Sequence, residues 1–364
     1  MMEGREMTRL KRCEVCRTPA IIASLQRWLN NGDLVQAANP NARAALVECE
    51  NIDPIFRDIG RAIGVSIDHI VINIVARGHQ LFMESVIPEP VKEMIRNKTI
   101  DVQAFTQGTF DLVHVLGYGK HEFLGYRYEN DENDFCRIRI TRPLSILEAA
   151  GGFAGVIAAA VGGEHSVTYR ETAPGVFELT SGWTTYPEVL KERLQIVPYE
   201  HQESDLELEK CAACGVPVLL SKTCSWDFDN GVITNRGTGY RMALLGPGLM
   251  DSLFEALEWE LGDEVPRLVV DAQRRFTREG FAPIDLSLPT EELRAQFALR
   301  GLGNLRELKV GRREAFLRLE NSCMRLLLVG LLQGTFERAH GVDSSVDWET
   351  DEKGTLQVEV KGLH

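Results

Sequence analysis

An α+β architecture in two copies is the expectation for this chain, and three observations carry it. Stretches with helical periodicity are segregated from stretches that alternate like strands, the pattern of helices laid on antiparallel sheet. The thiols of "CEVC" at 13–16 return in "CAAC" at 211–214, 198 residues later (211 − 13). Landmarks then follow in one order in both halves: Pro19 and Pro217, Trp28 and Trp226, Arg43 and Arg241, Phe56 and Phe254, Gly64 and Gly262. Near the end of each half the spacing falls to 179, where Gly155, Gly162, Val167 and Gly175 meet Gly334, Gly341, Val346 and Gly354. Loops of unequal length explain the change. The chain reads as a tandem duplication: a first unit over 1–198, an acidic linker "YEHQESDLELEK" at 199–210, and a second unit over 211–364.

Within each unit a small cysteine module comes first (11–50 and 211–247), then a larger domain (53–185 and 251–361). After the knuckle, "PAIIASL" and "DLVQAA", and in the second copy "VPVLLSK", "GVITN" and "YRMALL", read as short strands separated by Asn-Gly and Gly-rich turns. Helices are expected over 53–64 and 251–262, each opening on Asp and stopping at Gly. Second helices follow at 67–86 and 264–279, and a shorter one after each. A hairpin comes next, over 110–140 and 302–320, then a Gly/Ala-rich or Leu-rich helix (145–161 and 322–339). A last strand pair, 166–182 and 344–360, closes the unit. The acidic runs "ENDENDF" and "DWETDEKG" read as solvated hairpin turns.

Composition bounds the function. With 364 residues the chain can bury a full core without staples. A net charge of −13 and the lack of any long Lys/Arg block argue against nucleic acid. The longest apolar stretch, "AAGGFAGVIAAAVGG", is too short and Gly-rich to span a bilayer, and the N-terminal run lacks the apolar core of a signal peptide. Eight cysteines, four of them in CxxC pairs, suit a reducing compartment, so a cytoplasmic protein is expected, with a protein partner or homo-oligomer left open. No H-E-x-x-H, G-x-S-x-G or G-x-G-x-x-G occurs, so no catalytic residue is assigned.

The thiols carry the clearest chemistry. Four thiolates satisfy Zn²⁺ tetrahedrally, and each CxxC turn supplies one edge of that tetrahedron. Cys13, Cys16, Cys211 and Cys214 could therefore share one structural zinc across the duplication. Two other readings stay open: four buried thiols without a metal, or a second-half site built from Cys211, Cys214 and Cys224 alone. The counterpart of Cys224 is Gln26, so the first half could not copy such a site. A redox CxxC is less favoured, because no βαβ context surrounds either pair.

The stretch "LGYGKHEF…FCRIRITRPLS…AAGGFAGVIAAAVGGEHSVTYRETAPGVFEL" resembles the 4-vinyl-reductase, or hydrocarbon-binding, domain family. The likeness covers about 53–183 and, more faintly, 251–360, leaving the CxxC modules outside. It implies a cavity between helices and sheet for a small hydrophobic or aromatic molecule. Members are known as sensory domains of aromatic-responsive regulators, as stand-alone proteins, and as a protein implicated in bacteriochlorophyll synthesis. The zinc site of the sensory branch is not carried over: Glu171 stands where its acidic residue falls, but "TAPGVFEL" and "TDEKGTLQV" offer no thiol. No G-x-x-x-x-G-K-[ST] occurs either, so an ATP-driven activator is not expected.

His114, at the expected start of the first hairpin, resembles the family's histidine that meets the ligand's hydroxyl, against the plainer reading of a core histidine with a local partner. Laying Gly119 on Gly311 puts Arg306 at its place in the second half. His69 and His79 receive no role. Glycines inside a helix cost about 1 kcal/mol each relative to alanine, so the run containing Phe153 and Gly155 marks close approach, either of another helix or of a flat ligand. The second copy, "LLVGLLQGTFERAHG", is bulkier, which places any cavity in the first half. The resulting expectation is a binding, sensor or accessory protein with His114, Phe153 and Gly155 on the ligand. The alternatives are an enzyme subunit of aromatic or tetrapyrrole metabolism, and a scaffold whose cavities are filled.

Overall fold

The computed structural model describes residues 11–188 and 199–363; residues 1–10 and 189–198 of the expected first unit, and 364 of the second, lie outside them. Each half begins with a CxxC turn and a proline, after which the chain forms a helix of six residues, α1 (Ala20–Leu25) and α7 (Val218–Thr223). These replace the strands expected over "PAIIASL" and "VPVLLSK". Each helix buries a single apolar residue deeply, Ile22 or Leu220, and Pro19 or Pro217 stands at its N-cap, so one helical turn serves where a strand was expected. Strands β1 (Gln26–Trp28), β2 (Leu34–Gln36) and β3 (Asn39–Glu48) follow in the first half.

Helices α2 (Ile52–Ile63), α3 (Asp68–Val86), α4 (Glu89–Arg96) and α5 (Val102–Leu116) come next, then the hairpin β4 (Lys120–Arg127) and β5 (Phe135–Thr141). Helix α6 (Ile146–Val161) and the pair β6 (His165–Ala173) and β7 (Val176–Trp183) complete the half. In the second half α7 is followed by β8 (Cys224–Asp227), β9 (Val232–Asn235), β10 (Arg241–Leu245), α8 (Pro247–Leu261), α9 (Val265–Arg278) and α10 (Thr290–Leu299). Then come β11 (Asn304–Val310), β12 (Glu314–Glu320), α11 (Arg325–His340), β13 (Ser344–Thr350) and β14 (Leu356–Gly362). The order of elements is the same in both halves except for α4. Two four-stranded antiparallel sheets have matching orders, β4-β5-β7-β6 and β11-β12-β14-β13. The class is α+β.

The first hairpin starts later than expected. Residues 102–116 are helical because Asp101 caps the start, accepting the Gln103 N–H, while Gly117 at φ 90° ends it. His114 therefore stands on a helix. The second half corrects the glycine alignment too: Gly119 just before β4 corresponds to Gly303 just before β11, not to Gly311. Arg306 lies instead on β11, paired with Glu320 at 2.6 Å.

The modules do not stay with their own halves. Their strands merge into one six-stranded sheet, β1-β2-β3-β10-β9-β8, in which β3 and β10 pair antiparallel. Leu46 lies opposite Leu244, its own counterpart at a spacing of 198, so a local dyad passes through this pair. Each module then docks on the opposite domain. A Cβ on Gly32 would meet the Gly303 carbonyl carbon at 2.4 Å, and one on Gly231 would meet the Gly119 oxygen at 2.3 Å. The Trp28 indole donates to the Leu299 carbonyl at 2.8 Å. Arg43 donates to the Gly301 and Asn321 carbonyls of the second half, and Arg241 to the Arg142 and Pro143 carbonyls of the first. Helix α2 reaches α9 through Asn51, which donates to Gln273 at 2.6 Å, and Phe56 meets Phe254 at a centroid distance of 6.3 Å. One apolar core runs through both domains.

The acidic segment 199–210 is a strap with specific anchors rather than a free linker. Tyr199 donates to Asp251, His201 meets Asp33 at 2.6 Å, and the Gln202 N–H donates to Asn321 at 2.8 Å. Leu206 N–H reaches the Asn30 carbonyl at 2.9 Å, while Asp205 pairs with Arg294 and Arg306 at 3.0 and 3.2 Å. The turn "ENDENDF" is likewise organised around a buried group: Asp134 accepts the N–H groups of Glu129, Asn130 and Asp131.

Candidate metal centre

The two knuckles are superimposable in their hydrogen bonding. Cys13 N–H donates to Thr18 O and Arg17 N–H to Cys13 O, both at 2.9 Å; Cys211 N–H donates to Val216 O at 2.9 Å and Gly215 N–H to Cys211 O at 2.8 Å. Closing each turn needs a left-handed residue after the second thiol. Gly215 supplies it at φ 73°, while the first copy uses Arg17 at φ 64°, a conformation that costs a side-chain-bearing residue about 1–2 kcal/mol. Arg12 locks the pair from outside, donating to the Trp226 carbonyl at 3.2 Å with its guanidinium 5.2 Å above Phe228.

This geometry brings each thiol to its counterpart. Cys13 and Cys211 sulfurs are 3.7 Å apart, those of Cys16 and Cys214 are 3.4 Å apart, and all four lie within 4.8 Å of one another. A tetrahedral zinc with Zn–S near 2.3 Å needs sulfurs about 3.8 Å apart. The set therefore fits a metal ion, and all eight cysteines are free of disulfides.

Electrostatics agree. Cys13 is lowered to about 6, chiefly by the backbone N–H groups of Cys16 and Val15, and Cys211 is lowered by those of Ala213 and Cys214. Cys214 is pushed up to about 12 by burial and by sharing protons with the neighbouring thiols. Four sulfurs so close cannot all be anions unless a cation sits among them. A divalent ion would replace the remaining protons. Cys224 stands outside the group; it is buried in the module core and raised to about 12 by desolvation.

The other expected site residues lie elsewhere. His114 Nε2 accepts the His121 N–H at 2.7 Å, and the two rings are 5.8 Å apart, with Phe110 5.3 Å from His121. Phe153 and Gly155 lie on α6, where Phe153 is buried in the core. A Cβ on Gly155 would stand 2.3 Å from Ala76 O, and one on Gly334 would stand 2.5 Å from Arg274 O. The glycines thus let α6 cross α3 and α11 cross α9. A cavity of about 340 Å³ opens in the second half, bounded by the strap, α8, the start of α11 and the 351–354 turn. None of His114, Phe153 or Gly155 lines it. The strap forms one wall of it through Tyr199 and Glu200.

A buried polar pair in the first half was given no role from sequence. His79 Nδ1 donates to Val75 O at 3.1 Å, leaving Nε2 3.4 Å from a carboxyl oxygen of Glu148. Burial lowers His79 and pushes Glu148 up to about 8, with nearby Asp53 adding to the latter. A contact between side chains of two separate helices leaves no spacing in the sequence; Gly152, where an added Cβ would stand 3.3 Å from His79 Nε2, marks the place where α3 and α6 meet.

No family model and no curated protein matches the chain. Among solved structures, similarity is found to a Cs H-NOX mutant and to a mutant H-NOX of T. tengcongensis, each at 16% identity with a TM-score of 0.24, covering 33% of this chain and 75% of the other. A structure concerned with heme distortion in the H-NOX family gives 18% identity and a TM-score of 0.25, over 38% of this chain and 80% of the other. Overlap this slight carries no functional information. No helix among the described residues is long and apolar enough to cross a membrane.

Proposed function

We propose that Cys13, Cys16, Cys211 and Cys214 hold one zinc ion, and that this ion clamps two copies of an ancestral unit into a ligand-binding or accessory protein. The observation that carries it is the meeting of equivalent thiols from sequence positions 198 apart within 4.8 Å. An all-sulfur tetrahedral set favours zinc or iron, and a mononuclear redox-silent zinc suits a clamp that does no chemistry. Metal analysis of the full chain purified from its own host should give one zinc per chain. Iron in its place, or no metal, would refute the clamp.

Each domain, with helices against a four-stranded antiparallel sheet and a glycine-bearing helix crossing, is of the kind the 4-vinyl-reductase resemblance implies. On that reading the ligand is a small hydrophobic or aromatic molecule of the first half, with His114, Phe153 and Gly155 contributing. The cluster of Phe110, His114 and His121 supports a polar contact there, because burial holds His121 down at about 3 and so neutral. Native mass spectrometry should reveal a retained apolar molecule, lost on His114→Phe. Phenol titrated into the full chain without saturable binding, together with no retained mass, would remove this part while leaving the clamp intact.

A further inference from the structure

We infer that the second-half cavity is a binding site for a small zwitterion bearing both a carboxylate and an ammonium group, of the α-amino-acid class. Its volume of about 340 Å³ is within the range of small-molecule sites. Its floor is built from buried, fixed groups. The Tyr199 ring lies 4.8 Å beneath the Arg43 guanidinium, and its hydroxyl donates to Asp251 Oδ2, which also takes the Met324 N–H at 3.1 Å.

The walls carry opposite charges that do not close on each other. Arg325 uses only its Nε, donating to Ser322 Oγ at 3.3 Å; its two terminal amino groups have no hydrogen bond or ion pair among the described residues. Across the cavity, Glu255 and Asp251 Oδ1 are likewise without a hydrogen bond or ion pair among those residues. Asp251 and Glu255 stand one helical turn apart on α8, so both present to the same side. Burial raises both carboxyls above their ordinary values, and the Arg325 charge pulls both back toward the ionised form, yet neither lies within 4.0 Å of it. Opposite charges in a partly desolvated hollow close into a pair unless the fold holds them apart. Here the gap is set by two rigid elements, the end of α8's first turns and the start of α11. A guest with its carboxylate on Arg325 and its ammonium on Glu255 and Asp251 would complete both.

The two halves supply an internal control. The counterparts of Glu255 and Arg325 are Arg57 and Ile146, at the spacings of 198 and 179, and Tyr199 has no described counterpart. The first half therefore lacks the charge pattern, and no counterpart of the strap stands among the described residues. This site is independent of the zinc clamp and of any apolar ligand.

Calorimetric titration of the full chain with each of the twenty common α-amino acids should give saturable one-site binding for at least one. The N-acetyl and C-amide derivatives of that amino acid should bind at least tenfold more weakly. Glu255→Gln, at an exposed helix position that tolerates change, should weaken binding at least fivefold, and Arg325→Gln should abolish it, with circular dichroism confirming both folds. No saturable binding across the set overturns the proposal. So does equal affinity for either blocked derivative, or unchanged affinity in Glu255→Gln.

Discussion

The two halves share their order of elements and their packing contacts, but not the chemistry of their interiors. At positions where the backbone of one half meets the other, counterparts do the same job: Arg43 and Arg241 each donate to the carbonyl just past the second hairpin strand of the opposite half, Asn321 and Arg142. Gly155 and Gly334 both admit a crossing helix. Away from those contacts the residues part. His79, Glu148 and Tyr118 of the first half stand where Thr277, Leu327 and Leu302 fill the second, while Arg325 and Glu255 of the second replace Ile146 and Arg57. The lesson is that close backbone approach tolerates few residue types, whereas a side chain facing its own domain's interior can change as long as it fills or caps its space.

That comparison breaks most completely if the halves are separated. Residues 11–188 or 199–363 produced alone should fail to give a folded monomer, because β3 loses β10 and each module loses the domain on which it docks; size-exclusion and circular dichroism would show aggregation or self-pairing. A cooperatively folded monomeric half would contradict the exchange of modules. Next in size is loss of the metal: Cys16→Ser with Cys214→Ser should take metal content from one ion to none and lower Tm by roughly 10 °C, as expected when a structural ion is lost from a large domain.

Third, Arg43→Met should cost about 3–5 kcal/mol, since it removes the guanidinium that Asp33 meets at 2.8 Å in a fully buried pair and leaves that carboxylate only His201 and Asn31. Arg241→Met should cost well under half as much, because its ion pair with Glu50 is long, at 4.0 Å, and partly open to water. Denaturant titration of the two variants measures the difference directly.

The fourth expectation is a pH dependence carried by Glu148 of the first half. Glu148 has an ordinary value of 4.5 raised to about 8 in the fold. An acid raised in this way ionises first in the unfolded chain, so stability is full below about 4.5 and falls as pH rises to about 8. Glu148→Gln should flatten the unfolding profile across that window; Leu327→Gln, at the counterpart position, should lower stability by the same amount at every pH. The smallest effect concerns the tryptophans. Trp28→Phe should cost about 1 kcal/mol for its lost bond to Leu299. Trp226, whose indole nitrogen is buried without a partner among the described residues, should tolerate phenylalanine with little change in Tm.

Much of the fold and the metal centre was legible in the residues. The CxxC pairs, Pro19 and Pro217, and the glycines at 155 and 334 have local or close-contact reasons that survive in any sequence able to fold this way. The hairpin expected from 110 begins at 120 because the helix over 102–116 takes in its first residues, with the Asp101 cap and the Gly117 stop setting its ends. The hollow in the second half was not legible because bulk in α11 says nothing of a strap that arrives from outside the domain.

By itself the sequence determined that two knuckles exist, that helices alternate with antiparallel strands, and that four thiols at two-residue spacing are available to an ion. These are consequences of backbone geometry and local periodicity, which act over a few residues. Only the tertiary structure decided that the modules trade domains, that each thiol faces its own counterpart, and that a hollow opens beside Tyr199. Such outcomes depend on contacts between residues about 200 positions apart, where burial and complementary backbone surfaces select one docking among several that the local pattern allows.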